Sequence, residues 1–121
     1  MDLKTRTREA GSVIIVDVHG RIVLGEESAA LRGLIAELLN QGHKQILLNL
    51  GNVKFIDSSG LGNLVGAFSS VRKLGGELKL LSLTNRVHEV LQITKLYKVF
   101  DIKDDEVEAI KSFDQSQVAG A

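Results

Sequence analysis

The alternation of short apolar runs with helical stripes is the feature that most constrains this chain. Ser12 to His19 is β-branched and closes at Gly20, so it reads as a strand, with Leu3 to Arg8 as its weaker hairpin neighbour. Glu26 to Asn40 then places Leu31, Leu34, Ile35, Leu38 and Leu39 on one helical face. Glu26 and Glu27 stand at its positive end, and Gly42 lies just past its last turn. Gln45 to Leu50 is nearly all apolar, which suits a central, covered strand. After Phe55-Ile56 and a polar segment, Leu61, Leu64, Val65, Phe68 and Val71 recur at helical spacing until Gly75-Gly76. Glu77 to Leu83 predicts another strand, and Thr84 or Asn85 then caps a short helix carrying Val87, Val90 and Leu91. Lys98 to Ile102 predicts a last strand. Asp105 and Glu108 have capping-box spacing ahead of Val107, Ile110 and Phe113, and residues 115–121 read as a frayed tail.

Strands joined by helices imply parallel pairing for part of the sheet, so the fold class is α/β. The expectation is a single domain over 1–121, a mixed sheet of about five strands packed with about four helices. A chain of 121 residues, 44% of them hydrophobic, can bury its own core without a staple, and with no Cys it has no disulfide or thiolate chemistry. Lys and Arg number 15, and so do Asp and Glu; this balance argues against a domain built mainly to neutralise a phosphate backbone. The stretch from Met1 to Arg6 lacks an apolar signal core and no apolar run is long enough to span a bilayer, so a cytoplasmic location without membrane insertion is expected.

The segment Asp57-Ser58-Ser59-Gly60-Leu61-Gly62 sits where a strand feeds a helix. Free N–H groups at such a start donate to Asp and Ser side chains acting as caps, and capping alone would account for these residue types. Gly60 and Gly62 would leave the serine hydroxyls accessible, at a cost in helix propensity. Gly62, Gly66 and Ser70 make a stripe of small residues, either a strip open to another chain or a face packed tightly on a neighbour.

Asn49-Leu50, Phe55, the Ile56-Asp57-Ser58-Ser59-Gly60-Leu61-Gly62 block, Gly66 and Gly75-Gly76-Glu77-Leu78 together resemble the anti-sigma factor antagonist branch of the STAS domain family, over about residues 10–112. The resemblance implies a non-catalytic binding domain without a cofactor. Its partner would be an anti-sigma factor that is also a serine kinase and itself holds the ATP; whether a phosphatase is a further partner, resetting the modified serine, the sequence leaves open. The resemblance assigns phosphorylation to Ser58, with Ser59 as the alternative. Partner binding falls to Asp57, Ser58, Ser59, Gly60, Leu61, Gly62, Asn63, Gly66 and Arg21. The unphosphorylated form would bind the anti-sigma factor and release sigma factor; the phosphorylated form would not. One departure stands out: where relatives carry a Gly-Glu-Leu-Asp type motif near the phosphorylation site, this chain reads Gly20-Arg21-Ile22-Val23.

Other chemistries fit the residues less well. A nucleophile elbow needs Gly two residues before the serine, but Ile56 and Asp57 hold those positions. Nothing in the spacing of His19, His43 and His88 favours a catalytic triad. The stretch from Gly60 to Val65 has Val where a dinucleotide fingerprint needs its third glycine. Asp104-Asp105-Glu106 reads as a helix-start cap rather than a metal site. The alternative function is a STAS scaffold subunit, either of a stress-sensing assembly or of a membrane lipid transporter. A monomer or weak dimer is expected, with no nucleic-acid partner.

Overall fold

The computed structural model describes the backbone of residues 3–120, and the side chains of that range except residues 26, 27 and 114–120. Five strands are joined in the order β1 (Leu3–Ala10), β2 (Val13–Ile22), β3 (Gln45–Ile56), β4 (Glu77–Leu81) and β5 (Asp101–Lys103). β1 is antiparallel to β2, and every later neighbour is parallel, so the sheet is mixed. The parallel strands are linked by α1 (Glu26–Asn40), α2 (Ser58–Lys73) and α3 (Asn85–Thr94); α4 (Glu106–Gly120) follows β5.

Alternation along the strands sorts the core into two layers. Ile14, Val16, Val18, Ile46, Leu48, Leu50, Leu78 and Leu80 face α1, α2 and α3, which contribute Leu31, Ile35, Leu38, Leu64, Val71, Val87 and Leu91 among others. Val13, Ile15, Leu47 and Leu81 face the other way, where α4 covers them with Ala109 and Phe113. That second layer is smaller, and polar groups supplement it. Arg8 binds both oxygens of Asp17 at 2.7 and 2.9 Å and reaches Glu106 of α4 at 2.8 and 3.2 Å. Asn49 adds a third hydrogen bond to Asp17. Lys79, also buried, donates to Ser112 of α4 and lies over the Phe113 ring.

α1 runs over the expected Glu26–Asn40, and Gly42 ends it at φ 92° while His43 N–H donates to Leu38 O. The Glu26 and Glu27 side chains lie outside those described. Other boundaries differ from expectation for local reasons. β2 does not stop at Gly20, and β3 does not stop at Leu50, because their pairing absorbs two register shifts and runs on to Ile22–Ile56. β4 ends at Leu81, since Ser82 takes a positive φ of 55° and donates its N–H to Lys103 O. The last strand is Asp101–Lys103, not Lys98–Ile102: left-handed Lys95 ends α3 and a single 3-10 turn, Leu96–Lys98, occupies the intervening chain. Thr84, not Asn85, caps α3; its hydroxyl accepts from Val87 N–H and donates to Val53 O. The backbone of α4 continues to Gly120, past the tail boundary expected at residue 115, and the sequence offers no Gly or Pro before that point. Ala121 lies outside the described residues.

Candidate functional site

At the end of β3 the chain turns into α2 through Asp57, whose extended backbone and carboxylate make it the N-cap. Oδ1 accepts from Gly60 N–H at 2.7 Å, and Oδ2 accepts from Leu24 N–H at 3.0 Å. Asp57 N–H in turn donates to Ile22 O at 3.2 Å. One residue therefore clamps the start of α2 to the segment leaving β2. The carboxyl is held below its usual range, chiefly by the Gly60 N–H, then by those of Leu24 and Ser59 and by the nearby Arg21 charge, with desolvation opposing.

Ser58 and Ser59 open the helix and both are exposed. Among the described residues, no side-chain hydrogen bond engages either hydroxyl. Asp57 does the capping, so the serines are not needed for it. Gly60 is buried, and a Cβ there would collide with the Ile22 carbonyl; its glycine is required by the close approach of two backbones. Gly62 is exposed with open space where its Cβ would point.

The remaining expected binding residues divide. Leu61 is buried in the main core, supporting the site from beneath. Asn63 donates to the buried Ser28 hydroxyl of α1 at 2.7 Å. Gly66 sits against the Arg32 guanidinium, and Ser70 donates to the Gly66 carbonyl. The middle of the small-residue stripe is therefore packed on α1, while its Gly62 end is open. Arg21 is exposed at the end of β2, and its guanidinium carbon lies 5.5 Å from the centroid of Phe55, its register partner on β3. Arg86 of α3 approaches the same ring at 5.1 Å. Leu24, beside the cap, is 76% exposed.

Ser58, Ser59, Gly62, Arg21 and exposed Leu24 are thus gathered around Asp57, with Gly60 and Leu61 holding the turn together. Sequence reasoning missed Ile22, Leu24 and Arg86, whose roles run through backbone groups or depend on strand register. Asp105 accepts from Glu108 N–H at 2.9 Å, which accounts for the Asp104-Asp105-Glu106 run as a cap. No helix among the described residues is long and apolar enough to cross a membrane.

Comparison with known proteins matches this geometry. The chain is 33% identical over 102 residues to the anti-sigma-B factor antagonist of Bacillus subtilis, covering 84% of this chain and 92% of that one. The solved structure of protein TM1081 from Thermotoga maritima is 29% identical and superposes with a TM-score of 0.78, covering 87% of this chain and 84% of that one. The Bacillus cell fate determinant SpoIIAA, solved in its phosphorylated form, shares the fold at 21% identity and a TM-score of 0.71, over 91% of this chain and 99% of that one. The profile of the STAS domain matches residues 4–109. With that match spanning most of its length, the chain belongs to the STAS domain family, in the branch of the anti-sigma factor antagonists.

Proposed function

We propose that this protein is a partner-switching antagonist whose unphosphorylated form binds an anti-sigma factor that is also an ATP-dependent serine kinase, and whose modification at Ser58 breaks that complex. The observation that carries the reading is the division of labour at the start of α2. Asp57 supplies the cap, leaving the Ser58 hydroxyl exposed and uncommitted among the described residues. A residue so placed can change its charge without withdrawing a bond from the fold.

Phosphorylation would add about −1.5 to −2 charges at that position. Within the domain, the helix start favours the anion by roughly 0.3 to 2 kcal/mol, offset in part by the neighbouring Asp57 carboxylate. Pressed against a partner, an unpaired dianion costs several kcal/mol, and about 1.4 kcal/mol already means tenfold in affinity. Binding fails while folding survives. Ser59 is also exposed, and the choice of Ser58 rests on the family resemblance.

The test is site-resolved phosphopeptide mass spectrometry on the native protein before and after starvation or stress, paired with binding assays on Ser58→Ala and Ser58→Asp. Expected are phosphate on Ser58 with changing occupancy, no modification of Ser58→Ala, and weak partner binding by Ser58→Asp with an unchanged melting temperature. Full modification of Ser58→Ala would transfer the role to Ser59. Absence of phosphate from both serines under all conditions would favour a constitutive scaffold.

A further inference from the structure

The two strands at the edges of the sheet differ in length. β5 has three residues, which suits a protected edge, whereas β1 has eight, from Leu3 to Ala10, with no Pro among them. Gly11, at φ 62°, and Ser12 join β1 to β2, and this two-residue turn makes Ala10 and Val13 a hydrogen-bonded pair. Pairing then alternates along the hairpin. Arg8, Arg6 and Lys4 direct their N–H and C=O groups to β2, so those of Glu9, Thr7 and Thr5 point away from the sheet. Among the described residues no hydrogen bond reaches these outward groups, and all three residues are exposed.

The side chains of β1 divide by the same alternation. Leu3 packs on the main core, so Thr5, Thr7 and Glu9 stand on the side of α1. Lys4, Arg6 and Arg8 form a row on the side of α4, where Arg8 is already held by Asp17 and Glu106. Arg6 is exposed in the middle of that row. Across a strand pair, opposite charges stabilise and like charges oppose, so the row bears on what can join the edge. A second copy meets repulsion there. The antiparallel register that joins all three outward residues of two copies centres on Thr7 and sets Arg6 of each copy opposite Arg8 of the other.

We infer that the outer edge of β1 is a docking site for an extended segment of a partner protein, which adds to the sheet as a further strand and sets Asp or Glu at alternate positions opposite Lys4 and Arg6. The outward peptide groups select the class of partner. Alternating donors and acceptors along an extended line are matched by another peptide backbone, and not by a lipid surface or a sugar-phosphate chain. The basic row selects the composition of the segment. The edge lies across β2 from the strand that leads to Ser58, and its use does not depend on whether that serine is modified.

The test is amide exchange by NMR on the isotope-labelled full chain, alone and titrated with three synthetic octapeptides: Glu alternating with Val, Lys alternating with Val, and four Glu followed by four Val. In the free chain Arg6 and Arg8 should exchange slowly and Thr5, Thr7 and Glu9 fast. Saturation with the Glu/Val alternating peptide is expected to slow Thr5, Thr7 and Glu9. Thr7→Pro should abolish that binding while keeping the melting temperature within a few degrees, because its N–H takes no part in the pairing with β2. Arg6→Glu should weaken the peptide roughly tenfold, and Arg6→Gln, which sets no new charge opposite Asp17, should fall between it and the parent. Unchanged exchange at the three outward residues, or binding retained by Thr7→Pro, overturns the inference. Equal affinity for the Lys peptide overturns the acidic composition, and equal affinity for the block peptide overturns strand addition. Slow exchange at the three residues without peptide, in a chain that sediments as a dimer, gives the edge to a second copy and likewise overturns it.

Discussion

A Cβ added at Gly60 would strike the Ile22 carbonyl, whereas one added at Gly62 would meet open space. The two glycines lie two positions apart on one helix, so their substitutions should move stability in opposite directions. Gly60→Ala must separate α2 from β2 and is expected to lose about 1–3 kcal/mol. Gly62→Ala only removes backbone freedom from a helix interior and should gain about 0.5–1 kcal/mol. Thermal melts check both; a Gly62→Ala protein that melts below the parent would mean that its position is not open. At this scale the sequence revealed the residue types and not their reasons. An Asp directly ahead of a helical pattern announces a cap, but its second bond, to Leu24 N–H, depends on where β2 ends. Glycines read as clearing space for serines proved to differ: one fits a backbone contact and the other leaves a surface bare.

Among the elements, α4 depends most on charge. Its apolar layer is small, and Arg8 joins it to the sheet by holding Asp17 and Glu106 together. Arg8→Ala removes both attachments and leaves the buried Asp17 with Asn49 alone. The expectation is a loss of about 1–3 kcal/mol concentrated in α4, read as faster amide exchange there with α2 protection retained. Uniform acceleration through the whole chain would instead make α4 part of a single cooperative unit. The helices were legible because their apolar stripes are long and regular: α1 follows its expected span to the residue. The strands were less so. β3 crosses Gly51-Asn52, which by composition reads as a turn, because β2 beside it continues to offer partners. The short β5 was displaced along the chain by Lys95 adopting a left-handed conformation, which no local pattern announces.

For the whole molecule, charges that cancel in the total are distributed with purpose. Asp17 and Asp57 both titrate below the usual carboxylate range, Asp17 chiefly through its hydrogen bonds from Arg8 and Asp57 chiefly through the Gly60 N–H. A depressed native pKa means that the stabilisation is complete above the unfolded value of about 4 and is lost as pH falls through the native value. Denaturant midpoints should therefore hold nearly level down to about pH 4 on account of these two groups and then decline. The Asp17→Asn, Asp57→Asn double variant should start lower at neutral pH and decline less steeply. An equally steep decline would assign acid sensitivity to other carboxylates. The chain's mixed α/β class followed from element order, but the placement of α4 on the opposite face from the other three helices did not, since its stripe fits either face.

Between the Asp17–Asn49 and Ile22–Ile56 pairs, β2 advances five residues and β3 seven. The surplus of two is even, so inward and outward positions are restored by the time Ile56 reaches the core and Asp57 emerges beyond it. Length in this stretch is consequently counted in pairs. Loss or gain of a single residue between Asn49 and Ile56 would exchange inside for outside just ahead of α2, whereas substitutions there leave the count untouched. Outside the buried Leu50, Val53 and Ile56, inheritance has latitude with the letters of this segment, but it can change its length only two steps at a time.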